Sequence, residues 1–195
     1  MKRLVSAIAT IALTVCAGAA FAAPATYKID PTHTFITFKT SHIGFAWIPG
    51  SFNEFEGQFK YDAEDRANSS AQFTVQTDSI DTHYATRDKH LRERDGLMEV
   101  AEFPTAKFVS TDYEPTGENT GKLKGDLTIK GETRPVTFDV KELAGREDPW
   151  GNFRRAFQAT TEVSLTDFGI TYFADNGMSM PETATIKVAI EGLRQ

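Results

Sequence analysis

Cysteine is nearly absent from this chain of 195 residues: the one present is Cys16. Histidine is scarce, with four residues, and tryptophan scarcer, with two. After residue 22 there is no apolar run long enough for a membrane helix, which needs about 20 such residues. Each shortage excludes something. A disulfide scaffold is ruled out, and so is a thiolate metal site. His33 and His42 are nine positions apart and His83 and His90 seven, so no pair has the close spacing of a preorganised zinc or copper site. No metal is therefore expected. Phosphate-loop, dinucleotide and nucleophile-elbow signatures are missing too.

The first residues read as an export signal. Lys2 and Arg3 form a positive start, Leu4 to Val15 is apolar and uncharged, and Ala20-Phe21-Ala22 offers small residues where a signal peptidase reads them. Cleavage before Ala23 is expected, giving a mature chain with no thiol in the periplasm. The rival reading, a lipoprotein acylated on Cys16, is disfavoured by Val15, which stands where a small residue is usual. Loss of Lys2 and Arg3 moves the net charge from -6 to -8. Such a chain is expected to be repelled by nucleic acid and by anionic lipid surfaces. It is not expected to be an integral membrane protein.

The dominant period after the signal is two, that of half-buried strands. It is clearest over Gln72 to Asp78, Leu123 to Ile129, Arg155 to Leu165 and Ala184 to Ile190. Weaker alternation joins Phe55, Gly57, Phe59 and Tyr61; Ala106 and Phe108; and Val136, Phe138 and Val140. Around His33 to Lys39 both faces are bulky and the inward one is undetermined. Turn signals separate the runs, among them Pro49-Gly50, Asp62 to Ser70, Lys130-Gly131 and Asp148 to Asn152. Tyr84 to Val100 is densely charged and reads as a short helix or loop clasped by ion pairs, anchored by Leu91, Leu97 and Met98. No linker divides residues 23–195. The fold class is all-β, one domain, and many amphipathic strands must close or stack to hide their apolar faces.

No catalytic residues are expected. Glu54 and Glu56 share a strand face, as paired glycosidase carboxylates can, but flank Phe55 as a solvated surface would. The 15 phenylalanines are more informative. They recur on the inner face of nearly every run, so the pore-lining candidates are Phe55, Phe59, Phe73, Val75, Phe108, Leu127, Ile129, Phe138, Val140, Phe157, Val163, Ile186 and Val188. The apolar, glycine-containing stretch Ile43 to Phe52 is not strand-periodic and reads as a flexible rim, with Phe45, Trp47 and Phe52 at the pore mouth. On residue chemistry alone, a lipid pocket and a packed core are equally supported.

Several blocks carry a resemblance. Tyr27-Lys28-Ile29-Asp30, then His33 and Ser41-His42-Ile43-Gly44, open the series. Asp81-Thr82-His83 leading into Arg87-Asp88-Lys89-His90-Leu91-Arg92 is its most specific motif. Phe103 to Phe108, Gly125 to Gly131 with Pro135-Val136, Asp148-Pro149-Trp150-Gly151 and Asp167-Phe168 complete it. In this order, from Tyr27 to about Gly192, they resemble the YceI-like family. The resemblance implies a lipocalin-like antiparallel β-barrel in the periplasm, whose hydrophobic pore holds a long-chain isoprenoid or isoprenoid-quinone-like molecule. It implies no cofactor and no catalytic residue, and it leaves a homodimer open. One departure is Ala156, where the family pattern has glycine and a methyl would narrow the wall. Carriage, delivery of quinone to a membrane redox enzyme, and an enzyme acting on bound lipid through His83 or His90 are the competing functions.

Overall fold

The computed structural model describes residues 24–178 and 183–195. The signal segment, Cys16 and the cleavage position before Ala23 lie outside the described residues. In chain order the elements are β1 (Ala25–Ile29), β2 (Phe35–His42), β3 (Ala46–Phe52), β4 (Phe55–Tyr61), β5 (Ser70–Gln76), β6 (Ile80–Asp81), α1 (Ala85–Glu93), β7 (Thr105–Pro115), β8 (Thr120–Ile129), β9 (Glu132–Glu147), β10 (Phe153–Ser164), α2 (Tyr172–Asp175) and β11 (Thr183–Arg194).

These strands make an antiparallel barrel of eight staves. β11 closes it. Its first half pairs with β2 (Ala184 with Thr40) and its last residues pair with β1 (Leu193 with Lys28). β1 and β2 are thus two segments of one stave, β3 and β4 of the next, and β5 and β6 of the third. The register places all three interruptions at one height: residues 30–34, 53–54 and 77–79. Closure leaves the outer edge of β3 free from Ala46 to Gly50 and lets one face of every stave turn inward.

An interrupted strand strands its backbone polar groups, and short polar side chains satisfy them here. The Ser79 hydroxyl accepts from the Asn53 and Glu54 N–H groups at 3.1 and 3.0 Å and donates to the Gln76 carbonyl at 2.7 Å. Thr77, fully buried, donates its hydroxyl to the Phe103 carbonyl at 2.7 Å. Asp30 receives the Thr32 N–H at 3.0 Å.

The expected strands are present. The interior of the His33 to Lys39 stretch is now fixed, with Ile36 and Phe38 inward and Phe35 exposed. The reading of Ile43 to Phe52 as an aperiodic rim is corrected, since β3 occupies most of it. Pro49-Gly50 suggested a turn, yet β3 pairs with β6 only at Ser51 and Phe52. Beyond them its outer edge carries no strand, and there a proline's missing N–H is tolerated. Lys130 and Gly131, both at positive φ, form the β8–β9 hairpin turn.

α1 falls within the charged segment, as expected, but ion pairs are not what holds it. Buried Asp88 accepts the Thr82 N–H at 2.8 Å and also the Thr82 hydroxyl. Arg92 donates to the carbonyls of Asp78 and Ile80, both at 2.7 Å. The charges therefore terminate backbone groups at the end of β6, where the sheet can no longer do so. Leu97 and Met98 are buried beneath the helix.

Candidate functional site: an aromatic-walled pore

The barrel encloses a cavity of about 460 Å³, walled almost wholly by apolar side chains. Of the pore-lining candidates, Phe59, Phe73, Val75, Phe108, Leu127, Ile129, Phe138, Val140, Phe157, Val163, Ile186 and Val188 line it, as does Phe52 from the mouth set. One wall candidate needs correction, and two of the mouth candidates stand at the rim without lining the cavity. Phe55 instead packs beside the Tyr27, Ile29 and Phe59 cluster and borders an outer groove next to Phe35. Phe45 and Trp47 are not on the cavity wall: they point outward at 87% and 63% exposure. Alternation along β3 sends Ile48 in and Trp47 out, and the period-free reading of that stretch hid this. Ala156, the departure from the family pattern, pairs with Ala144 and Glu191 and is not part of the lining.

The pore is open because its rings lie over glycines. A Cβ on Gly50 would meet the Phe38 ring closer than 3.0 Å; the same holds for Gly57 with Phe73, Gly125 with Phe108, Gly121 with Tyr113 and Gly192 with Phe59. Each ring lies against the wall in the space a neighbouring side chain would have filled. Rings standing off the wall would cross the lumen and meet in its centre. Sequence reading found Phe59, Phe73 and Phe108, left the face of Phe38 undetermined, did not single out Tyr113, and missed the pairing of each ring with a glycine, which cross-strand register alone identifies.

The two ends of the pore differ. At the α1/α2 end its lining becomes polar, with His42, Thr82, Arg87, His90, Arg94 and Tyr172 reaching the cavity. Arg94 donates from Nη1 to the Tyr172 hydroxyl at 2.6 Å, and its Nη2 lies 3.0 Å from His90 Nε2. Gly96 accepts the Thr171 and Tyr172 N–H groups at 2.9 and 3.0 Å, tying α2 to the loop after α1. At the far end an interior ion pair, Arg155 with Glu142, lies below Phe157. The Arg155 guanidinium stacks 3.7 Å from the centre of the Tyr61 ring, and Tyr61 donates to Glu142 at 3.1 Å. Burial, reinforced by Glu142, raises the Tyr61 pKa above that of a free phenol.

Among the described residues, neither histidine of the charged segment falls in a group of three potential metal ligands. His83 is exposed, 3.7 Å from Asp81, and His90 is engaged with Arg94. Glu54 and Glu56 are exposed on the outer surface. Among the described residues, the one set of potential metal ligands is Asp30, His33 and Glu191. Arg154 already occupies it, 2.7 Å from Asp30 and 3.3 Å from Glu191, while its Nε contacts Asp148 at 2.7 Å. Burial raises the Asp30 pKa, but hydrogen bonds from Thr32, Arg154 and His33 outweigh it and hold the carboxyl well below the usual range. The arrangement is a clasp joining the first stave, the β9–β10 turn and β11.

The sequence of residues 27–192 matches the model of the YceI-like domain. The chain belongs to the YceI-like family. A UPF0312 protein of Ectopseudomonas mendocina is 42% identical over 173 residues, 88% of each chain. One from Pectobacterium carotovorum is 37% identical over 195 residues, 100% of this chain and 99% of its own. The barrel is shared with Burkholderia cenocepacia BcnA, at a TM-score of 0.74 and 23% identity, covering 84% of this chain and 98% of that one. It is also shared with a domain from Saccharophagus degradans described as polyisoprenoid-binding, at a TM-score of 0.64 and 17% identity, covering 87% and 98%. Among the described residues of this YceI-like protein, no helix is long and apolar enough to cross a membrane.

Proposed function

We propose that this YceI-like protein is an exported lipid carrier that sequesters one long-chain isoprenoid, or an isoprenoid-quinone-like molecule, in its pore. The observation that carries this reading is the apolar cavity itself, held open by rings seated over glycines. A filled core would have no use for that arrangement. Each 100 Å² of tail removed from water is worth roughly 2.5 kcal/mol. The polar rim of Arg87, His90, Arg94 and Tyr172 suits the head of such a molecule and supplies the few orienting contacts of a typical ligand pocket. The polyisoprenoid-binding description of the Saccharophagus degradans domain supports the same ligand class.

Carriage is favoured over catalysis because, of the two histidines on the cavity wall, His90 is engaged with Arg94, and among the described residues neither it nor His42 hydrogen-bonds a hydroxyl as a paired base would. Delivery of quinone to a membrane redox enzyme is carriage with a named recipient. Extraction of the purified protein into organic solvent, followed by mass spectrometry, tests the reading. One equivalent of an isoprenoid lipid is expected, and an empty extract from freshly exported protein would refute it. Intact mass of periplasmic material is expected to equal unmodified residues 23–195; acyl groups on Cys16 would refute the soluble, exported form. Chemical change in the retained lipid, abolished by replacing His90, would favour the enzyme.

A further inference from the structure

Phe45 and Trp47 are the two most exposed aromatic residues at the α1/α2 end of the pore, and nothing in the packing of the barrel explains them. They sit at the tip of the β2–β3 hairpin. The Phe45 N–H donates to the His42 carbonyl at 2.9 Å, closing a turn whose central residues, Ile43 and Gly44, both have positive φ. A β-branched residue rarely adopts that conformation, and asparagine or glycine would fill it without strain. Ile43 stays there although it is 39% exposed. The tip therefore gives up local preference to present three apolar side chains together.

Charge indicates what the tip meets. From Pro31 to Asn53 there is no Asp or Glu, in a chain that has 27 of them. The same stretch holds Lys39, whose ammonium lies 4.6 Å from the centre of the Trp47 ring, and His42. At the opposite end the turns carry exposed Glu64, Asp65, Glu114, Glu118 and Glu147. An apolar aromatic tip with a lysine beside it, free of carboxylates, matches the headgroup layer of a bilayer. There Trp and Phe rings sit among lipid headgroups and a lysine reaches phosphate. Exposed acids also occur at the tip's own end, among them Glu93, Asp95, Glu102, Asp167 and Asp175, so the carboxylate-free surface is confined to the hairpin itself. The residues just inside the tip, Thr40, His42 and Ile48, line the pore, so a docked barrel would open its mouth towards the lipid phase.

We infer that the β2–β3 hairpin tip, through Ile43, Phe45 and Trp47, is a membrane-docking surface that seats the pore mouth against a zwitterionic bilayer. The lipid-transfer purpose of this contact rests on the carrier reading; the contact itself does not. The two tryptophans lie at opposite ends of the barrel and serve as reporters. Trp150→Phe leaves only Trp47, and Trp47→Phe leaves only Trp150. Each protein is mixed with phosphatidylcholine vesicles bearing brominated acyl chains. Trp47 emission is expected to shift to the blue and be quenched, with Trp150 unchanged. Phe45→Ser in the Trp150→Phe background is expected to weaken vesicle partition about tenfold, the loss of one buried aromatic ring. Equal quenching of both tryptophans, or of neither, would overturn the inference. So would a blue shift of Trp47 that grows with protein concentration without vesicles, since a second copy would then cover the tip. Lipid extracted from the same preparations separates the two readings. Protein that carries lipid but ignores vesicles refutes docking alone, whereas protein that docks but holds no lipid refutes carriage and upholds docking.

Discussion

Arg155 and Glu142 face each other inside the barrel, on β10 and β9, with the guanidinium stacked on the Tyr61 ring at the end of the pore opposite α1. The pair closes the apolar lumen with a neutralised polar floor. Its side chains are only 11% and 14% exposed. Removing one partner would leave a buried charge without compensation, so Glu142→Leu and Arg155→Met are each expected to destabilise by about 3–5 kcal/mol in urea denaturation. The double replacement should recover most of that loss. Additive single losses, with no recovery, would show that the pair does not act as a unit.

The glycine seats predict how the pore can be closed without breaking the barrel. At Gly50, the three atoms nearest an added Cβ all belong to the Phe38 ring, and that ring borders open space. Gly50→Ala is expected to swing Phe38 into the lumen, with an overpacking cost of about 1–3 kcal/mol and a marked fall in retained lipid. Adding Phe38→Leu should restore lipid content, as measured by extraction. Unchanged lipid content in Gly50→Ala would mean that the ring does not define the bore.

Wall and core phenylalanines should respond differently to truncation. Phe168 is 2% exposed and belongs to the cluster of Phe108, Leu127 and Phe138 without lining the cavity. Phe168→Ala should cost about 3–5 kcal/mol, whether lipid is present or not. Phe73 lines the cavity, so Phe73→Ala should cost less in lipid-free protein and should reduce the stabilisation that bound lipid gives through linkage. Thermal unfolding of emptied and loaded protein separates the two. Identical behaviour would indicate a filled barrel.

The Arg154 clasp predicts an acid-sensitive contribution to stability. The carboxyls of Asp30 and Asp148 are both held well below the ordinary range: Asp30 by its hydrogen bonds against the effect of burial, Asp148 chiefly by Arg154. Unfolded, each takes up a proton near its ordinary value of 3.8. Their contribution is therefore complete above about pH 5, and falls as pH drops through 4 towards the depressed folded values. Asp30→Asn should lower stability at neutral pH and flatten its decline between about pH 5 and 2. A decline as steep as in the unaltered protein would assign the acid sensitivity elsewhere.

Alternation with period two determined much of this protein before any coordinates. A side chain on a strand can face only two ways, so a run such as Phe73, Val75 and Thr77 sets its own inner face. Twelve of the thirteen wall candidates reach the cavity for that reason. The charged run ahead of Leu97 had to leave the sheet, because its polar groups had no place on an apolar face. Register and closure were not legible. Parity puts Glu142 and Arg155 on inward faces, but the register slip between Ala156 and Phe157 decides that Gly145, with no side chain to displace the guanidinium, stands opposite Arg155. The pairing of Gly50 with Phe38, or of Gly192 with Phe59, joins residues from strands whose alignment no local pattern specifies. Pro49-Gly50 resembled a turn because the local signal is the same on a barrel's edge, and only the missing neighbour beyond Ser51 made a strand tolerable there. Local chemistry thus chose which side chains face inward. Whether they fill the interior or surround a pore depended on which backbone lies across from each ring, and that is decided by contacts between residues far apart in the chain.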